Sequence, residues 1–470
     1  MTTRDAPSEV NSTASNSKQI EEDQIQQPPE DPEKQPDVQL GADGAGDAVD
    51  LNIVDWDGPN DPKNPMNWIN AKKAKNILVI CYLTFLTPLG STMFAPAIEQ
   101  VMSTYHSTSQ VLASWVISVW VLGYFFGPLF LGPLSELYGR LPVYLVCNVL
   151  YTIFNIATAV SPSLSALIVF RFLAGTFGDM IKQENRGKVM AIWAMGPLMG
   201  PIIGPIAGGY MGQSVGWRWI CWVLAISSGV GAIASFLFQS ESYPPQLLDQ
   251  KAKRLRKETG NEDLRSVLNV DRRASYIFTR AIIRPVRLLL LSPVVSILSI
   301  YQGVVYGYLY LLFTTFPLVF QYQYHFGTGT IGLTYLGMGV GAFIGLAIGG
   351  LVSDRLLKKL SGEAKTHWIV PIIGTTVIGI GLNILFMCIT TYFIDAHPLY
   401  EASANAASTA VRSLIGALVP LAGRSMYQAL GLGWGNSLLG FLALAMCPLP
   451  FFFYKYGERI RTHPKFQIRW

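Results

Sequence analysis

No aspartate or glutamate falls inside any long apolar run of this chain, and charge of either sign is scarce. Charged residues make up 14% of the 470 positions, against roughly 25% in a soluble globular domain. No Cys-x-x-Cys pair occurs. The five cysteines (Cys81, Cys147, Cys221, Cys388 and Cys447) each sit within or beside an apolar run. That pattern supports neither a disulfide framework nor a metal site, and reads as small apolar filler. There is no Ser/His/Asp set, no phosphate-binding loop and no metal-ligand cluster, so an enzyme finds no support. No metal and no bound cofactor are expected. A basic start followed by a short apolar core is missing, so no cleavable signal peptide is expected. No cluster of Lys and Arg is interleaved with aromatics, so nucleic acid is dropped as a partner.

Apolar residue is abundant instead. Half the chain is hydrophobic, 12% is aromatic and the mean hydropathy is +0.34. Eleven apolar runs lie at 76–98, 111–131, 142–161, 163–178, 189–212, 217–239, 288–320, 332–353, 368–392, 403–423 and 432–454. Most reach the ~20 residues needed to cross a hydrocarbon core ~30 Å thick. The expected class is therefore an all-α membrane protein with membrane lipid around it.

Charge divides the chain further. Residues 1–50 carry twelve acidic and three basic side chains and almost no aromatics. They cannot bury enough surface to fold and are expected to be a disordered acidic tail on the cytoplasmic side. Residues 51–75 are turn-rich and hold Trp56 and Trp68, which suits an interfacial segment before the first span. A six-span half follows at 76–240. A basic linker, 241–287, has eleven Lys/Arg against six acids. A second half occupies 288–454, and a basic tail 455–470. Basic loops stay in the cytoplasm, which places the N-terminus and the linker inside.

The two halves echo one another. Gly132-Pro133-Leu134-Ser135-Glu136-Leu137-Tyr138-Gly139-Arg140 follows the second run, and Gly350-Leu351-Val352-Ser353-Asp354-Arg355 ends the eighth. Both read glycine, three residues, acid. Duplicated helical halves joined by a cytoplasmic loop are a transporter architecture, with the substrate site between them near mid-membrane. Arg171, in the middle of the fourth run, costs at least ~2.5 kcal/mol on insertion scales, so it should face the interior and mark function. No acidic partner for it is visible in the runs. The fifth run, Gly196-Pro197-Leu198-Met199-Gly200-Pro201-Ile202-Ile203-Gly204-Pro205-Ile206-Ala207-Gly208-Gly209, has glycine at every fourth position, which lets helices approach closely. Tyr301, Gln302, Tyr306 and Tyr308 in the seventh run, with Trp120 and Tyr124 in the second, supply aromatic surface with polar tips, as a large, mostly apolar ligand requires.

These motifs resemble the major facilitator superfamily, in particular its fungal multidrug:proton antiporter branch of twelve spans. The resemblance covers about residues 54–470. It implies two pseudo-symmetric helical halves, a small-molecule substrate and proton-coupled efflux by alternating access. It also implies a monomer in the plasma membrane, driven by the proton gradient. Gly132–Arg140 is similar to the family's G-x-x-x-D-R-x-G-R loop, with Glu136 at the acidic position and Leu137 in place of the first arginine. Glu136, Arg140, Asp354 and Arg355 would form gating latches. The stretch around Arg171 looks like the family's fourth-span motif, whose arginine is implicated in proton transfer. Gly200, Gly204, Pro205, Gly208 and Gly209 match the antiporter motif, and Ala191 replaces its first glycine. An importer or uniporter of the same fold, for a polyamine, organic acid or sugar, is the first alternative. A transport-inactive form is the second.

The chain departs from the family at two places. The fourth-span motif runs directly from Gly178 into Asp179, where the family has about a dozen further small residues. The family's ninth span is missing: Arg355 is followed within twelve positions by His367-Trp368. Eleven crossings from an inside N-terminus would leave the basic tail outside, against the positive-inside tendency. Residues 356–367 cannot cross, because twelve helical residues cover only ~18 Å. Either the tail is stranded outside, or one run fails to span, or an exon-sized piece is missing. The last is favoured, with a working form of about 500 residues once one span and its flank are restored.

Overall fold

The computed structural model describes residues 52–178, 188–268, 274–337 and 401–446, with isolated positions between and beyond them. The acidic segment 1–50, Asp354, Arg355, most of the eighth and ninth runs and most of the basic tail lie outside the described residues.

The helices follow the apolar runs closely. They are α1 (Asn70–Thr92), α2 (Ile98–Thr104), α3 (Gln110–Tyr138), α4 (Arg140–Ala159), α5 (Leu164–Gly178), α6 (Lys188–Ser214) and α7 (Arg218–Phe238). After the linker come α10 (Pro293–Tyr324), α11 (Thr328–Thr334) and α12 (Glu401–Met446). Helix α12 is kinked at Gly431, whose φ is +70°. Among the described residues, six segments are long and apolar enough to cross a bilayer: α1, α3, α4, α7, α10 and the Ser403–Gly423 part of α12. A bent pair, Ser425–Gly431 with Trp434–Met446, makes seven if it forms one span.

The first apolar run is not one helix. It stops at Thr92, turns through Met93–Ala97 and resumes as α2. Pro96 has no N–H to continue a helical ladder. Ala95 and Ala97 instead donate to the Thr92 and Phe94 carbonyls at 3.0 and 3.1 Å. The turn carries Phe94 into the protein interior, where it is fully buried.

The outer surface differs from that of a water-soluble fold. Val146, Ile153, Ile226, Ile233 and Phe236 stand exposed on α4 and α7. Ser91, Ser114, Ser118, Arg171 and Ser228 are completely enclosed. Apolar outside and polar inside is the arrangement that hydrocarbon demands, since lipid offers no hydrogen bonds. The main core runs from Leu86 to Tyr335 and draws on α1, α3, α4, α5, α7, α10 and α11. A smaller cluster gathers Leu288, Val294, Val295, Leu298, Ile389, Phe393, Ala404 and Ala407.

The polar linker is structured. It forms α8 (Pro244–Thr259), begun by prolines and closed by left-handed Gly260, and then α9 (Ala274–Leu291). Residues Leu288–Leu291, which the seventh apolar run includes, belong to α9. Helix α10 starts afresh at Pro293, where the Ser292 hydroxyl accepts from the Val295 amide. Two residues of the pre-span segment, β1 (Ile53–Val54), pair in parallel with β2 (Arg265–Ser266) of the linker. Val54, Ala252 and Leu264 form a small core there. The Lys251 ammonium reaches Asp57 at 2.6 Å and donates to the Asp55 carbonyl. The segment read as lying at the membrane interface is thus tied to the linker.

Candidate functional site

Arg171 sits on α5, completely buried between α1 and α3. Its Nε donates to the Val116 carbonyl at 2.6 Å, and its Nη2 reaches the Gly90 carbonyl at 3.5 Å. The guanidinium carbon lies 3.9 Å from the centre of the Phe94 ring and 5.0 Å from that of Trp120. Rings in that position attract a cation by about 0.5–2 kcal/mol each, more strongly when it is desolvated. Nη1 has no hydrogen-bond partner. Among the described residues no carboxylate forms an ion pair with this charge. The break after Thr92 makes the cage possible, because it delivers Phe94.

Trp120 and Tyr124 join this arrangement. The Trp120 indole donates to the Tyr124 hydroxyl at 3.0 Å, and its ring meets Tyr151 edge-on. On the other side, Ser91 of α1 and Tyr310 of α10 share a hydrogen bond of 3.0 Å across the two halves of the chain. The Tyr310 ring meets that of Tyr306 at a tilt, with centres 5.0 Å apart, and their hydroxyls interact.

Tyr306 leads to a second arginine, which the reading of the sequence passed over. Arg412, on α12, places its guanidinium carbon 5.0 Å from the Tyr306 ring and 5.2 Å from the Phe386 ring. Its Nε is enclosed and has no hydrogen-bond partner. The sequence signal was present: Arg412 is the one charge within the 403–423 run, and the cost that singles out Arg171 applies to it equally. Tyr310 lies within electrostatic reach of both arginines.

Of the other candidates on α10, Gln302 is buried and accepts from the Ser408 hydroxyl. Tyr301 packs against the smaller cluster, and the Tyr308 hydroxyl donates to the Leu439 carbonyl at 3.2 Å. These two do not join Tyr306 at Arg412.

The glycines of α6 are contact points. A Cβ on Gly208 would lie 1.9 Å from the Met93 carbonyl oxygen, and one on Gly204 would lie 2.2 Å from the Thr92 hydroxyl. Helix α6 therefore presses backbone to backbone against the end of α1, next to the turn that holds Phe94. Gly200 faces Pro88 and Leu89 of α1, while Gly209 and the Pro205 carbonyl face α11 at Thr328 and Gly332.

At the α3–α4 corner, half-buried Glu136 and Arg140 are in electrostatic contact. Arg140 also lies 4.9 Å from the Tyr243 ring, and Glu241 accepts from the Leu141 amide at 3.0 Å. Glu241 and Tyr243 open the linker, so the corner is tied to it. A separation of a hundred residues gave the sequence no means of signalling that contact. The second corner, Asp354 and Arg355, lies outside the described residues.

Apolar outer helix faces around an interior that encloses polar groups and a charge fit a multi-pass membrane protein. Residues 80–380 match the Major Facilitator Superfamily. Similar proteins include the MFS-type transporter penM of Penicillium rubens, 50% identical over 89% of this chain and 91% of that protein. The MFS-type transporter tndD of Aspergillus flavipes is 47% identical over 92% and 90%. The efflux pump radE of Floropilus chiversii is 43% identical over 89% and 87%. Among solved structures, the xylose transporter XylE from E. coli in a partially occluded inward-open state matches with a TM-score of 0.59. It shares 13% identity and covers 82% of this chain and 98% of its own. The chain belongs to the Major Facilitator Superfamily. The penM alignment runs over 463 residues, yet 89% of this chain is only about 418. About 45 aligned positions of the relative therefore have no counterpart here.

Proposed function

We propose that this protein is a proton-coupled exporter of drug-like or secondary-metabolite small molecules, working by alternating access in the plasma membrane. The observation that carries the reading is the enclosed Arg171, a charge held by two carbonyls and two rings at the junction of α1, α3 and α5. A buried charge without a counter-ion is expensive to keep. It is retained where a cycle uses it. The α6 glycines support efflux, because they match the antiporter motif and pack against the α1 turn that builds the Arg171 cage. The name of the similar efflux pump radE agrees with that direction. The Glu136–Arg140 corner, tied to the linker through Glu241 and Tyr243, is the element that would open and close. The test is drug efflux from vesicles with and without a proton uncoupler. The reading expects efflux that the uncoupler abolishes. Uncoupler-insensitive equilibration would place the protein among uniporters instead.

A second reading concerns this form of the chain. The roughly 45 positions without counterpart favour a form that lacks one span and part of a loop. That form would be unstable or inactive beside a longer one. A C-terminal tag found in the cytoplasm, together with full efflux by the 470-residue form, would sink this reading.

A further inference from the structure

We propose that the transported substrate is an organic anion with a flat aromatic or apolar body, and that Arg412 binds its acidic group between the two halves. The inference rests on the transporter reading and specifies its substrate class.

Three observations carry it. Among the described residues the interior holds two arginines within apolar runs, Arg171 and Arg412, one from each half, and no Asp or Glu lies in any apolar run to neutralise them. Both retain unused donors: Nη1 of Arg171 and Nε of Arg412 have no partner although both atoms are enclosed. The two charges meet at one polar chain, in which Ser91 bonds to Tyr310, Tyr310 interacts with Tyr306, and the Tyr306 ring lies beside the Arg412 guanidinium. A cation would be repelled from such an interior. A carboxylate, or an acidic enol or phenol in its ionised form, would accept the planar two-pronged donor set of a guanidinium. Tyr306 and Phe386, whose ring centres lie 5.9 Å apart beside that guanidinium, offer ring faces for a flat substrate body.

The two arginines differ in readiness. Two backbone carbonyls already engage Arg171, which is completely buried. Arg412 is only partly buried, and among the described residues its contacts are with the Tyr306 and Phe386 rings. Arg412 is therefore the group that takes the anion, and Arg171 keeps the surrounding potential positive.

The experiment uses three probes of equal shape: 2-naphthoate, 2-naphthamide and 2-naphthylmethylammonium. Binding of each to the purified full chain is measured in proteoliposomes at neutral pH, alongside transport driven by a proton gradient. The proposal expects the naphthoate to bind at least about tenfold more tightly than the amide, the difference that losing a charge-assisted hydrogen bond makes. The ammonium should bind most weakly. In Arg412→Gln, naphthoate and naphthamide should bind within about threefold of each other, and Arg412→Lys should recover only part of the preference because it lacks the fork. Equal binding of the three probes by the parent protein would overturn the proposal. So would preference for the ammonium, or no naphthoate binding at about 1 mM, the weak end of specific binding. These comparisons need only the parent protein, so they decide the case even if a variant fails to fold. A tenfold preference that survives Arg412→Gln would move the anion away from Arg412. Gradient-driven flux with a preference for the neutral or cationic probe would leave the transporter reading standing and remove the anion. Naphthoate binding without any flux would do the reverse.

Discussion

Arg171 in the first half and Arg412 in the second carry the same charge in opposite circumstances. Arg171 is sealed, bonded to the Val116 and Gly90 carbonyls and caged by Phe94 and Trp120. Arg412 lies, among the described residues, beside the Tyr306 and Phe386 rings, with its Nε unsatisfied. A fully buried side chain anchored by backbone carbonyls is part of the mechanism's frame. One that is only partly buried and lies against rings is open to something that arrives from outside. The comparison assigns structure and coupling to the first arginine and recognition to the second.

The strongest way to break the comparison is Arg171→Ala. It empties the Phe94–Trp120 cage and removes a charge shared among three helices. Efflux should fall by at least tenfold and the thermal midpoint should drop, while protein still reaches the membrane. Arg171→Lys should rescue poorly, because an ammonium cannot address two carbonyls and two rings at once. Normal efflux by Arg171→Ala would reduce the residue to a tie between helices.

Next in size is Gly208→Val. Its Cβ would lie 1.9 Å from the Met93 carbonyl, so α6 must move away from α1. Overpacking of this kind typically costs ~1–3 kcal/mol, and the shift would loosen the turn that presents Phe94 to Arg171. The expected outcome is lost or leaky coupling, read as efflux that no longer follows the gradient. Parent-rate, gradient-tight efflux in both Gly204→Val and Gly208→Val would make the motif irrelevant here.

A smaller effect is expected of Tyr310→Phe. It deletes the Ser91 hydrogen bond that joins α1 to α10 and keeps the ring. A net loss of about 0.5–1.5 kcal/mol follows, because the Ser91 hydroxyl keeps its bond to the Pro88 carbonyl at 2.7 Å. Scanning calorimetry of the variant, with Arg412→Gln beside it, would show whether the bridge or the arginine holds the halves together.

The smallest effect lies outside the membrane. Asp61 accepts backbone hydrogen bonds from Asp57 and Lys63 at 2.9 and 2.8 Å, and these hold its carboxyl below the usual value of 3.8. A depressed folded-state pKa contributes stability that is present above about 3.8 and is lost as pH falls through the lower folded value. Proteolytic protection of the pre-span segment should therefore persist at neutral pH and fade only in that acid range. Asp61→Asn should lose part of this protection at neutral pH. Protection that is unchanged across the acid range would show that Asp61 does not hold the pre-span segment.

Much of this was legible in the sequence, because hydrocarbon imposes a simple rule. Runs of apolar residue became α1, α3, α4, α5, α6, α7, α10 and the first part of α12, with ends shifted by a few residues. Arg171 was legible for the same reason, as a costly charge in lipid. Arg412 carries the same cost but stands in no motif, so only the lone charge in its run marks it. The break at Met93–Ala97 was less visible: Pro96 stood in a run apolar enough to read straight through. The pairing of Val54 with Ser266, and of Leu141 with Glu241, joins positions far apart in sequence. Neither composition nor period carries that information.

One measurement tests the division of labour most directly: thermal unfolding of the parent, Arg171→Ala and Arg412→Ala proteins, each with and without 2-naphthoate. The account predicts that Arg171→Ala unfolds well below the parent in the absence of ligand. It predicts that Arg412→Ala unfolds close to the parent without ligand and gains no stabilisation from the naphthoate that the parent does gain. An Arg412→Ala protein that is strongly destabilised yet still stabilised by naphthoate, beside an Arg171→Ala protein of parental stability, would contradict it.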